Sequence, residues 1–164
     1  MTTLEVILLC VLANWAGMIL ISWVYLGWLW KVSGDVKFEG WVFWRGWLPI
    51  ARFRLISTKS WYAKLWNKWY GFSFGFTMIH RDVKGTRDDL WVEKTIVHEA
   101  RHAFQQLALG MIQWLAYALD NLRIRIFTKL DPYKDNWFEC DARRAADKWE
   151  AAGRPRIYSF GERR

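Results

Sequence analysis

Cysteine is scarce: Cys10 and Cys140 are the only two in 164 residues, and they stand far apart with no CxxC pair. That excludes a disulfide framework and a cysteine-based zinc knuckle, and it permits a reducing compartment. The chain also lacks internal repeats and Ser/Gly-rich linkers. One domain, with one appended element, is the expectation for this length. Lys and Arg are missing from the first 30 residues, whose only acidic residue is Glu5. All 24 Lys and Arg therefore fall in 31–164, with 15 of the 16 acidic residues, a net of +9. What is abundant is aromatic and apolar: 53% hydrophobic, with 14 tryptophans. That excludes a disordered tail. An apolar head on a basic, Trp-rich body points to a membrane protein.

Residues 4–30, LEVILLCVLANWAGMILISWVYLGWLW, are almost continuously apolar, with Asn14 the one strongly polar interior residue. As a helix the segment would extend roughly 40 Å, more than the ~30 Å hydrocarbon core. Trp23, Tyr25, Trp28 and Trp30 crowd its end before Lys31, as an interfacial belt does. A cleaved signal peptide has a basic leader, a short apolar run and an A-x-A site. None of these is present, so 1–31 is expected to be a retained single-pass anchor. Lys31, Lys37, Arg45, Arg52 and Arg54 flank one end only, which places the body in the cytoplasm by the positive-inside rule. The lipid bilayer is the expected partner. The positive charges are scattered and no nucleic-acid reader motif occurs, so anionic lipid explains the charge better than nucleic acid does.

In the body, 32–154, Trp41, Trp44 and Trp47 recur at helical spacing, which suits an interfacial segment or ordinary core packing. Ser60 is placed to cap a short helix whose Trp61, Leu65 and Trp69 form a stripe. Residues 71–80, GFSFGFTMIH, alternate like one β-strand. Thr86 and Asp89 suit the capping of a helix from Asp89 to Leu109, interrupted by Gly110. An apolar helix follows, then a loop DPYKDN, then a last helix WFECDARRAADKWEAAG. The tail 155–164 reads as loose. The expected fold class is α+β, mostly α: an anchor helix, then a compact domain with a short strand or sheet.

The chemistry lies in His98-Glu99-Ala100-Arg101-His102, an HExxH motif. Histidines four apart share one helical face and can grip one metal ion. Zn2+ suits imidazole, and Glu99 beside the first histidine suits a general base on water. Arg101 is expected to face solvent. Two protein ligands are too few for a catalytic zinc site. Gln105, one turn past His102, is an amide and a poor ligand, but it can orient one. Glu139 and Asp141 on the last helix, and His80 at the end of the strand, are the candidate third ligands, with Glu139 favoured. Glu139 could instead pair with Arg143 at i+4. Tyr117, Tyr133 and Arg143 are candidate oxyanion stabilisers.

HEARHAFQQLALG, the apolar helix containing Tyr117, and DPYKDNWFECDARRAAD together resemble small gluzincin-type zinc metallopeptidase-like domains over about residues 90–150. Their pattern is HExxHxxQ with a Gly soon after, then a helix bearing a Glu ligand near Ala and Asp residues. The resemblance implies His98, His102 and Glu139 as zinc ligands and Glu99 as the catalytic base, with Gln105 and Asp141 behind them. It implies a zincin-like domain that hydrolyses a peptide or protein. The alternative is a non-enzymatic basic, Trp-rich membrane protein that binds anionic lipid or nucleic acid and whose HExxH is structural or incidental.

Overall fold

The computed structural model describes residues 2–32, 34–67, 70–81, 89–155 and 159–160. The fold is α+β. Helix α1 (Thr3–Val32) is, among the described residues, the one helix long and apolar enough to cross a membrane. Its first third, Leu4 to Ala13, is exposed on every side. From Asn14 onward one stripe is covered, with Met18, Ser22, Leu26 and Leu29 buried at helical spacing. Helix α1 is therefore packed onto the body along much of its length.

A five-stranded sheet forms the middle of the body: β1 (Val36–Trp44), β2 (Leu48–Leu55), β3 (Gly71–Phe74), β4 (Thr77–Arg81) and β5 (Ser159–Phe160). The spatial order is β3-β4-β2-β1-β5, with β2 and β4 parallel and the other neighbours antiparallel. Alternation along β2 sends Leu48 and Ile50 to one face and Ala51, Phe53 and Leu55 to the other. On the second face, Leu26 and Leu29 of α1 and Ala63 and Trp66 of α2 (Trp61–Trp66) complete a cluster. On the first face lie Ile96, Ala100 and Ala103 of α3 (Asp89–Leu109), against Val42, Ile50 and Met78. Each fully buried large side chain there is worth about 1.5–3 kcal/mol. Helices α4 (Ile112–Phe127) and α5 (Trp137–Ala151) follow, and α5 packs on α3.

Several expectations need correction. Residues 41–50 are not helical, as the tryptophan spacing suggested, but a β-hairpin turning at Arg45 and Gly46, both at positive φ, and its Val42, Leu48 and Ile50 pack in the core. The three-residue recurrence of tryptophan imitated a helix across that turn. Residues 71–80 form two strands, because Gly75 at φ +54 reverses the chain between β3 and β4. Alternation survives a tight turn, so it read as one strand. The tail 155–164 contains β5, which pairs Phe160 with Trp41 and Ser159 with Val42. Ser60 does cap α2, accepting from the Ala63 N–H at 3.3 Å. That helix buries Ala63 and Trp66, while Trp61 is exposed. Trp69, the Leu65 side chain and the Thr86–Asp89 capping arrangement lie outside the described residues.

The contact between α1 and the body is close. Gly75 and Gly110 both take positive φ, and a Cβ at Gly110 would come within 2.7 Å of the Asn14 amide carbon. A Cβ at Gly75 would overlap Ser22. Asn14 donates to the Leu109 carbonyl at 2.8 Å and accepts from the Ile112 N–H at 3.0 Å. Glycine at these two sites satisfies both the turn and the approach of α1.

Candidate metal centre

Ile96, Ala100 and Ala103 hold α3 on the sheet. Helical spacing then turns His98, His102 and Gln105 toward α5, and Glu99 and Gln106 toward β3. Gln106 fixes the second direction. Its amide donates to the Ser73 carbonyl at 3.0 Å and accepts from the Gly75 N–H at 2.6 Å.

The start of α5 is pinned to α4. Asn136 is fully buried. Its side-chain oxygen caps α5 by accepting from the Phe138 N–H at 2.9 Å. Its amide nitrogen donates to the Tyr117 carbonyl and the Asn121 side chain. Asp120 accepts from the Trp137 N–H at 2.7 Å. With both the cap and the first N–H groups tied down, Glu139 in the first turn is carried inward.

His98, His102 and Glu139 meet there. The two Nε2 atoms are 3.1 Å apart. Glu139 Oε2 faces His98 Nε2 at 3.3 Å and Glu139 Oε1 faces His102 Nε2 at 3.4 Å. A tetrahedral ion with bonds of roughly 2.0–2.1 Å sets its ligand atoms about 3.3 Å apart. All three separations fit. Glu139 Oε2 is moreover buried without a hydrogen bond, a costly state for a carboxylate oxygen unless a cation meets it. Two imidazoles and a carboxylate are a donor set that divalent transition-metal ions accept.

Behind the histidines runs a hydrogen-bonded chain. The His102 Nδ1–H donates to Gln105 Oε1 at 2.9 Å, which leaves the Nε2 lone pair for a ligand role. Gln105 donates in turn to Asp141 Oδ2 at 2.7 Å and to the Phe138 carbonyl at 3.2 Å. Arg101 closes the chain on Asp141 at 2.6 Å. Arg101 is thus paired rather than turned to solvent, because α5 docks over it. Asp141 serves Gln105 and Arg101, and it is not in the triad. His80 is held by Glu39 at 2.8 Å, apart from the other histidines. Arg143 contacts Cys140 Sγ, and Glu139 turns to the histidines. Tyr117 donates to Glu139 Oε1 at 3.0 Å, so its hydroxyl steadies a triad member.

Electrostatics follow from burial and pairing. Burial raises the pKa of Glu99, against the pull of the two histidines. Burial also opposes the charged form of His102, yet Glu139 and Glu99 outweigh it and raise its pKa. For Glu139 burial acts upward, but contacts with His102 and His98 bring it below the usual carboxylate range. Desolvation pushes the Tyr133 hydroxyl up to about 12.

A cavity of about 320 Å³ opens beside the triad. Gly71, Phe72, Ser73 and Phe74 of β3 form one wall; Gln113, Trp114 and Tyr117 of α4 form another, with Tyr133 at the rim. β3 is one of the two edge strands of the sheet. A methyl group at Gly71 would overlap the Glu99 carboxylate, so glycine there makes room for that side chain. Gly71, Gln106, Trp114 and Asn136 were not singled out from sequence. Asn136 alone carried a local signal, an N-cap residue directly before a helix; the others matter only through distant partners. No protein-family model, no curated protein and no solved structure matches the chain.

Proposed function

We propose that this chain is a membrane-anchored, zinc-dependent hydrolase with a zincin-like body, most simply a peptidase, held by α1 with the body on the cytoplasmic side. The observation that carries the reading is the convergence of His98, His102 and Glu139, at separations a tetrahedral ion requires, beside an open cavity. His98, His102 and Glu139 would hold the ion. Bound zinc supplies a Lewis acid that polarises a carbonyl and makes water more acidic.

The remaining work belongs to the chain itself. Burial raises the pKa of Glu99 and so makes its carboxylate a stronger base; in that ionised form it takes a proton from the attacking water and returns it to the leaving nitrogen. Gln105 and Asp141 keep His102 in one tautomer and one orientation. The position of β3 at one edge of the sheet, along the cavity, favours a peptide substrate, since an extended chain can add to an edge strand. The Lys and Arg residues flanking α1 at one end support the cytoplasmic orientation.

Metal analysis of detergent-purified protein tests the reading: near-stoichiometric zinc is expected, lost in His98→Ala and kept in Glu99→Gln. Glu99→Gln should abolish hydrolysis of a peptide that the wild type cleaves. Wild-type turnover in Glu99→Gln would reject the mechanism, and absence of zinc would reject the site.

A further inference from the structure

We propose that the corner between α3 and α4 is a second membrane element, inserted beside α1 into the acyl region of the same leaflet. The inference rests on α1 spanning the bilayer and is independent of catalysis.

Depth follows from the joint with α1. The corner is bonded to Asn14 at Leu109 and Ile112, and Trp15 Nε1 donates to the Ala108 carbonyl at 3.2 Å. Only Thr3 to Ala13 precede that joint in the helix. They extend roughly 16 Å, about half of a ~30 Å hydrocarbon core. If α1 crosses the membrane, Asn14 lies near its middle and takes the corner with it.

The corner is built for that environment. Residues 103–119, AFQQLALGMIQWLAYAL, contain no charged residue. Ile112, Leu115, Leu119, Leu122 and Ile126 recur at spacings of three and four, and each is more than half exposed. Among the described residues this stripe is the solvent-facing apolar side of α4. Charge returns only near the far end, where Asp120 pairs with Arg123 at 2.7 Å and Arg125 follows, a position from which a basic side chain can reach headgroups.

The backbone supplies a separate observation. Helix ends leave unpaired carbonyls and N–H groups, which hydrocarbon does not tolerate. Here Asn14 takes up the Leu109 carbonyl and the Ile112 N–H, and Trp15 takes up the Ala108 carbonyl. The Gly110 N–H donates to the Gln106 carbonyl, and the Gly110 and Met111 carbonyls accept from Gln113 and Trp114. A water-exposed corner needs no such provision from an apolar helix.

The test uses the full chain in vesicles of phosphatidylcholine and phosphatidylglycerol, in a Cys10→Ser, Cys140→Ser background. An environment-sensitive fluorophore is placed by Leu8→Cys, Ile112→Cys, Leu119→Cys or Lys148→Cys, and lipids carry a nitroxide on the acyl chain. Loss of most of the fluorescence at Ile112 and Leu119, as at Leu8, with none at Lys148, is the expected result. Quenching at Leu8 alone overturns the proposal and leaves the anchor standing; no quenching at Leu8 overturns both. Cross-linking between copies through Ile112→Cys without quenching shows that a second chain covers the stripe, and also overturns it. Carbene photolabelling of the unsubstituted chain from the lipid phase keeps the test independent of the variants: label in 111–122 is expected, and its absence refutes insertion.

Discussion

Replacing Gln105 by Ala isolates the orientation of His102, one of the proposed metal ligands, from the ligand itself. The His102 Nδ1–H loses its acceptor at 2.9 Å, and Asp141 loses a donor at 2.7 Å while keeping Arg101. The imidazole is then free to rotate or change tautomer, which puts the Nε2 lone pair out of line. Loss of such an outer partner weakens metal affinity by about 10–100-fold, or about 1.4–2.7 kcal/mol. The buried site also loses hydrogen bonds, at about 1–3 kcal/mol for a donor left unsatisfied. Competition titration against a chromophoric chelator measures the affinity, and thermal melts with and without zinc separate it from stability. Gln105→Glu is the informative companion. It restores an acceptor for His102 but sets a carboxylate against Asp141, so its affinity should lie closer to wild type while the metal-free fold melts lower. Wild-type affinity in Gln105→Ala would refute the reasoning.

Three further expectations concern other parts of the molecule. Gly71→Ala should displace Glu99, whose Cγ would lie 2.6 Å from the new methyl, and lower turnover by about a hundredfold with zinc retained; unchanged turnover would remove Gly71 from the site. Asn14→Ala removes two hydrogen bonds at the α3–α4 corner, each worth about 0.6–1.7 kcal/mol between apolar helices, and should lower the melting temperature in detergent; identical melting would show that the joint contributes nothing. The Asp35 carboxyl is lowered to about 2 by hydrogen bonds from Ser57 and Ser60, against a smaller upward effect of burial. Its folded pKa is depressed, so its contribution is present above about pH 4 and lost as pH falls toward 2. The difference in melting temperature between wild type and Asp35→Asn should therefore shrink across that window, and a constant difference would exclude the linkage.

Legibility differed by element for physical reasons. The apolar run of α1 and the pairing of His98 with His102 on one helix face depend on neighbours within a few residues, so the sequence by itself determined them. The same holds for α3, whose bounds Asp89–Leu109 agree with its pattern. The β1–β2 hairpin was not legible, because its identity depends on pairing across a turn while its tryptophans repeat every three residues. Glu139, Asp141 and His80 were all chemically eligible to complete the triad. Only the tertiary structure separated them: Asn136 and Asp120 dock α5 so that Glu139 faces inward, Arg101 and Gln105 engage Asp141, and Glu39 engages His80. Tertiary packing likewise decided that α1 is bound to the body at Asn14 rather than tethered at its end. Composition and period describe what a segment prefers as a solvent, whereas convergence of side chains requires several segments to close on one another at once.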